Sequence, residues 1–173
     1  MGRKNIVLVG FMGCGKTTIG KKLARANSYM FIDMDDEIVN KAGMEITEIF
    51  EKYGEAEFRR METELCAELS TRQGCVIATG GGVIKNERNM ELLKKNGVVL
   101  YIKASPEHIY NNIKNDKSRP LLNGGDKMKK IGEMMEERKP LYEQRCDLTA
   151  DITGMKSNAA VEFIMDILKE NKK

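Results

Sequence analysis

Eight residues constrain this chain more than any others: Gly10-Phe11-Met12-Gly13-Cys14-Gly15-Lys16-Thr17 fits GxxxxGK[ST] and directly follows the apolar run Ile6-Val7-Leu8-Val9. Such a spelling needs a strand before it and a helix after it. Its glycines let successive backbone N–H groups turn inward around phosphate oxygens, and the helix aims its positive dipole end at the same place. Ile19, Leu23 and Ala24, with Gly20 on the packed side, give the helical spacing that begins near Lys16. In this reading Gly13, Cys14, Gly15, Lys16, Thr17 and Thr18 hold nucleotide phosphates, Lys16 reaches the outer ones, and Thr17 offers its hydroxyl to Mg²⁺. The competing reading is a glycine turn that binds nothing.

Strands and helices then alternate. A second strand, residues 29–32, delivers Asp33-Met34-Asp35-Asp36, and helical pattern resumes at Ile38 and Val39. Gly54 breaks a helix, and Phe58, Met61, Leu65 and Leu69 mark a longer one after it. A third strand, residues 75–79, runs into Gly80-Gly81-Gly82. The helix carrying Leu92 and Leu93 is predicted to end on Asn96-Gly97 as a C-cap pair, before a fourth strand at 98–102. Ser105-Pro106-Glu107 reads as an N-cap, a first-turn proline and a dipole-favoured acid. Pattern lapses from about 116 to 126, the best candidate for a mobile segment. A helix over 127–139, a fifth strand near 147–152 and an amphipathic helix with Val161, Ile164, Met165 and Leu168 complete the chain. Strands separated by helices imply a parallel sheet covered on both faces, with ligands at its C-terminal edge.

A chain of 173 residues suffices for one domain with an ample core. Net charge is +3, with no basic block or interleaved aromatics, so nothing points to nucleic acid. No apolar run approaches the ~18 residues of a membrane span, and charged residues begin at once at the N-terminus, so the cytoplasm is the expected compartment. Cysteines 14, 66, 75 and 146 show neither CxxC spacing nor a histidine at metal-ligand distance, and reduced thiols are expected.

Phosphoryl transfer through a metal needs an acid near Mg²⁺ and an acid near the attacking hydroxyl. Asp33 and Asp35, read with one strand parity, project to the same side beside the phosphate loop; the bland alternative is an acidic helix start. Glu62 lies three residues beyond Arg59 on one helix face, spacing that can orient a guanidinium toward a carboxylate or make an ordinary surface pair. Gly80, Gly81 and Gly82 let a ligand approach the main chain closely, or form a plain turn. Arg119 sits where a closing lid would bring a cation, and Arg138 reads on its own as a helix-end cation. His108 reads as a solvated helix residue and Met128, Met134 and Met135 as packing. The Cys14 thiol, placed among inward N–H groups, is expected to be reactive, so that its oxidation blocks nucleotide binding.

Taken together these motifs make the whole chain resemble the shikimate kinases. The matching segments are GFMGCGKTTIG at 10–20, FIDMDDEI at 31–38, GEAEFRRME at 54–62, TGGGVI at 79–84, RPLL at 119–122 and ERKPLY at 137–142, in the family's order. The resemblance implies an α/β fold of three α/β/α layers, a P-loop kinase of the nucleoside-monophosphate-kinase type, with a five-stranded parallel sheet in order 2-3-1-4-5. It implies a single kinase domain over 1–173, a mobile lid at about 116–126, and a shikimate-binding helical region at about 34–62. The implied reaction moves the γ-phosphate of ATP, with Mg²⁺, to the 3-hydroxyl of shikimate on the route to chorismate and the aromatic amino acids. Carried over by position, Lys16 steadies the β- and γ-phosphates, Thr17 ligates Mg²⁺ and Asp33 holds a metal-bound water. Asp35 binds the shikimate hydroxyls and accepts the proton. Arg59 and Arg138 clamp the carboxylate, Glu62 orients the site, Gly80, Gly81 and Gly82 line it, and Arg119 is the lid cation on the phosphates. Where the family often carries an adenine-stacking arginine this chain has Asn111-Asn112. The expected partners are small molecules, without nucleic acid or membrane, and the expected state is a monomer.

Nucleoside-monophosphate kinases would need base and phosphate pockets that match nothing here, and a binding module without turnover would not require Lys16, Asp35 and Arg119 together. A gluconate-type kinase would keep the phosphate loop and lid but need not keep Arg59, Arg138 and the triple glycine together. Asp151-Ile152-Thr153-Gly154 spells the DxxG of a nucleotide switch, although it follows the last strand and no NKxD accompanies it.

Overall fold

Strand β1 (Asn5–Val9) is buried along its whole length, and its side chains alternate between two cores. Ile6 and Leu8 enter one hydrophobic cluster, Val7 and Val9 the other, which requires cover on both faces of the sheet. The computed structural model describes residues 3–115 and 126–171. Its sheet contains β1, β2 (Met30–Asp33), β3 (Cys75–Ala78), β4 (Gly97–Lys103) and β5 (Leu148–Asp151), all parallel, in order 2-3-1-4-5. The fold class is therefore the expected one. Register brings Asp33 beside Ala78 and Lys103 beside Asp151, so the C-terminal strand ends share one edge with the loop after Val9.

On one face lie α1 (Lys16–Asn27), α5 (Pro106–Ile113) and α7 (Ser157–Glu170), whose Leu23, Ile109 and Ile164 pack with Leu8 and Leu100. On the other lie α2 (Met34–Ala42), α3 (Ile46–Leu69) and α4 (Glu87–Lys94), whose Ile38, Leu65 and Leu93 pack with Val7 and Ile77. Helix α6 (Lys127–Arg145) reaches both clusters, through Ile131 and Tyr142 respectively. The break at Gly54 is real: it sits at φ 83° inside α3, with helix on either side. The N-cap reading at 105 holds as well, with Ser105 Oγ accepting from the His108 N–H at 3.2 Å.

Two local expectations are corrected. Asn96-Gly97 is not a C-cap: α4 closes on Lys95 in right-handed geometry, Asn96 Nδ2 donates to Arg72 O at 2.7 Å, and Gly97 opens β4. Gly97 serves close approach instead, since a Cβ there would lie 2.7 Å from Leu93 O. Helix α6 runs six residues past the expected end at 139, straight through Pro140. Proline forfeits one helical hydrogen bond. Tertiary contacts beyond it hold the last turn, as the Tyr142 ring stacks on Tyr101 at 4.5 Å and Arg145 Nη1 donates to Ile84 O at 2.7 Å.

Candidate active site

The phosphate loop joins β1 to α1 through backbone conformations that side chains resist. Gly15 is the N-cap of α1 at φ 98°, and Gly13 turns at φ 78° where a Cβ would strike Ile113 at 2.5 Å. Lys16 is nearly buried, and its ammonium donates to Gly10 O at 2.7 Å and Phe11 O at 3.1 Å, which stations the charge over the loop. Thr17 Oγ1 donates to Asp33 Oδ2 at 2.8 Å, and Thr18 is exposed on the cleft. Cys14 departs from expectation. Its side chain is 1% exposed and belongs to the hydrophobic cluster, with Sγ packed against Gly10, while its N–H donates to Phe11 O at 3.2 Å. Its sulfur accepts from the Lys16 ammonium at 3.8 Å, at the inner edge of the cleft.

Asp33 and Asp35 both line the cleft, but not through strand parity. Asp33 ends β2 and caps α2, with Oδ1 accepting from the Asp35 N–H at 3.1 Å, and Asp35 stands in the first helical turn. The helix start turns Asp35 toward Gly80, where a Cβ would lie 2.9 Å from Asp35 Oδ1 and 3.2 Å from Glu62 Oε1.

The triple glycine makes room for side chains of the site itself. A Cβ on Gly82 would fall 2.5 Å from Arg59 Nη1. Arg59 Nη1 donates to Glu62 Oε2 at 2.6 Å, and Nη2 donates to Glu55 at 3.2 Å. Glu62 is 1% exposed; burial pushes its carboxyl above the ordinary glutamate value against the pull of Arg59, and the nearby Asp35 charge pushes the same way. For Arg59, burial opposes the charge, but the bonds to Glu62 and Glu55 outweigh it and hold the guanidinium above its usual pKa. Arg138 is no helix-end cation. It lies inside α6, 6% exposed, with Nη1 donating to Gly81 O at 3.2 Å. Arg119 and nearly all of the expected lid fall on residues 116–125, outside the described residues.

Lys16, Thr17, Asp33, Asp35 and Gly81 share one cleft of about 810 Å³. The cleft continues past the phosphate loop to Thr79 and Ile152 and to residues that no sequence motif singles out, among them Met155 and Lys156. The strand-end position after β5 was the available signal, because that edge is where ligands bind. Ile152 of the DxxG segment lines this wall, and behind it Asp151 Oδ1 accepts from the Thr153 N–H at 3.1 Å; the Thr153 side chain first, and this backbone bond after it, hold the Asp151 carboxyl below the ordinary range. His108 is half-buried beside it and its Nδ1 accepts from the Gly154 N–H at 3.2 Å, so it ties α5 to that wall and is not merely solvated. Asn112 Nδ2 donates to Gly13 O at 2.8 Å and is engaged with the loop. A buried cation, a half-buried ion pair and an acid next to a phosphate cradle can bind an anionic acceptor and deprotonate its hydroxyl.

A family model described as "Shikimate kinase" matches residues 12–169 of this chain. A shikimate kinase of Caldanaerobacter subterraneus subsp. tengcongensis is 49% identical over 162 residues, 94% of each chain. One of Thiobacillus denitrificans is 43% identical over 171 residues, 96% of this chain and 93% of its own. The structure of the Acinetobacter baumannii shikimate kinase in complex with shikimate superposes with a TM-score of 0.92 at 38% identity, covering 98% of this chain and 95% of that one.

Proposed function

The chain belongs to the shikimate kinase family, and from that premise we propose how its own residues carry out ATP-dependent phosphorylation of shikimate in aromatic biosynthesis. The observation that carries the assignment is the pair of guanidiniums, Arg59 against Gly82 and Arg138 against Gly81, beside the phosphate cradle and Asp35.

Lys16 exchanges the Gly10 and Phe11 carbonyls for the β- and γ-phosphate oxygens of ATP, so its charge is in place before the nucleotide arrives. Gly13, Cys14 and Gly15 contribute backbone, and Thr18 the rim. Thr17 and Asp33 fit Mg²⁺: a hydroxyl and a carboxylate, 2.8 Å apart, suit an ion that takes one or two protein oxygens beside phosphates and water. Among the described residues no cluster of three or more His, Cys, Asp or Glu offers a fuller cage. When bound, Mg²⁺ offsets charge building on the phosphate oxygens. Asp35 receives the proton of the attacking 3-hydroxyl, while Arg59 and Arg138 hold the carboxylate at the far end of shikimate. Glu62 fixes the Arg59 fork. Helix α7 packs on α1 within the chain, where the Lys22 ammonium donates to Ser157 Oγ and Asn158 Oδ1, both at 2.6 Å. All four cysteines are free thiols, which supports the cytoplasm as compartment; no described helix is long and apolar enough to cross a membrane.

The clamp is tested by replacing shikimate with its methyl ester. The ester is expected to be phosphorylated with a half-saturating concentration about 10–150-fold higher, the worth of one charge-assisted bond. Equal use of acid and ester would contradict the reading. Gly82→Ala is expected to act on the same step: its φ of −96° suits alanine, and the displaced atoms are the end of a flexible, partly exposed side chain. Half-saturation by shikimate should rise at least about tenfold while unfolding free energy moves by less than ~1 kcal/mol. Parallel kinetics and denaturant melts check both halves.

A further inference from the structure

A loop that wraps phosphate needs backbone amides, yet its second residue here is a phenylalanine that is 2% exposed. The Phe11 ring turns away from the cradle, and the Arg138 guanidinium carbon lies 5.4 Å from its centroid. Arg138 is itself buried; Nη1 has Gly81 O, Nε has no hydrogen-bond partner, and no carboxylate pairs with it among the described residues. Arg59 also lies over a ring, that of Phe58 at 5.2 Å, but carboxylates hold its fork, with Nη1 donating to Glu62 and Nε and Nη2 to Glu55. The two arms of the clamp are thus supported differently, one by carboxylates and one by an aromatic face.

We propose that Phe11 is a positioning residue for the acceptor: its ring holds the Arg138 guanidinium without neutralising it, which leaves that charge available to the incoming carboxylate. An aromatic face attracts a cation through its quadrupole and offers no oxygen to compete for the N–H donors. A glutamate in the same place would offset the Arg138 charge and take up a donor, as Glu62 does with one Arg59 nitrogen. Gly81 completes the arrangement, since a Cβ there would lie 3.5 Å from Arg138 Nη1 and 3.8 Å from the Met12 nitrogen, so the loop and the arginine meet across it. Phe11 also offers its carbonyl to Lys16, so one residue touches the phosphate-binding cation through its backbone and the carboxylate-binding cation through its ring. The inference rests on the assignment of Arg138 to the shikimate carboxylate.

The test compares shikimate with its methyl ester in Phe11→Leu, Phe11→Met, Phe11→Tyr and Arg138→Ala. Phe11→Leu and Phe11→Met keep apolar volume and lose the quadrupole. Each is expected to raise half-saturation by shikimate about 5- to 30-fold, with half-saturation by the ester and by ATP changed less than about twofold. Phe11→Tyr retains the ring, and the ring borders a cavity of about 220 Å³ with room for a hydroxyl, so parent behaviour is expected to return. If both aliphatic variants leave shikimate unaffected, or weaken acid and ester alike, the proposal is overturned. Arg138→Ala separates the two levels. Loss of acid–ester discrimination there, with none in the Phe11 variants, overturns the role of Phe11 alone; undiminished discrimination in Arg138→Ala overturns the clamp itself. Two aliphatic variants are used so that a folding defect in one, seen by thermal melting, does not decide the outcome.

Discussion

Asp35→Asn lowers the saturated rate of shikimate phosphorylation by about 10²–10⁴-fold, the contribution of a positioned general base. The substitution is close to isosteric and keeps the hydrogen-bonding reach of the side chain, so shikimate and ATP should still bind. What disappears is the ability to accept the proton of the attacking hydroxyl. Stability should hardly suffer, because two effects of the lost charge oppose each other. Asp35 stands in the first turn of α2, where a negative charge is favoured by the helix dipole, by roughly 0.3–1 kcal/mol. It also raises the pKa of buried Glu62, so removing it relieves a repulsion. A variant turning over within tenfold of the parent, with unchanged half-saturation by ATP, would show that another group takes the proton.

Tyr142→Ala is expected to destabilise the fold by about 3–5 kcal/mol. The ring is 2% exposed and lies parallel to that of Tyr101 at 4.5 Å, which ties α6 to β4. Burial holds its hydroxyl pKa above the ordinary tyrosine value, as befits a group that stays protonated and faces Gly81 O at 3.5 Å. Arg138 lies four residues earlier on the same helix, so loss of the stack also loosens the guanidinium against Gly81. With total stabilities of about 5–15 kcal/mol, the variant sits near the edge of folding, and a melting temperature lowered by roughly 6–20 °C is expected. Tyr142→Phe keeps the stack and should lose less than about 1.5 kcal/mol. Equal melting of Tyr142→Ala and the parent would show that the stack contributes nothing to the fold.

Those two residues differ in how visible they are in the sequence, and the difference is physical. The phosphate loop is legible because its chemistry is local: glycines, a lysine and a threonine at fixed spacing between an apolar run and a helical pattern. Strand order follows from the same alternation of elements with the family resemblance, and the sheet agrees. Asp35 is legible as an acid at a strand end, but by the wrong periodicity, since the chain turns into α2 one residue after Asp33. The triple glycine reads as backbone for a ligand to approach. Its partners Arg59, Asp35 and Glu62 are brought there only by tertiary folding. Arg138 and Tyr142 are the least visible, because Pro140 writes a stop into α6 that packing on Tyr101 overrides. Cys14 is placed by its motif among backbone donors, and by the fold in the hydrophobic cluster with its sulfur 3.8 Å from the Lys16 ammonium, a burial that spacing alone does not show.

The central claim is that this cleft serves shikimate as phosphoryl acceptor. It is tested most directly by ADP production from ATP and Mg²⁺ with purified protein, measured without acceptor, with shikimate, and with gluconate. Release of ADP that depends on shikimate and is not supported by gluconate is the predicted result. ADP release that is the same with and without shikimate, or that gluconate alone stimulates, would contradict it.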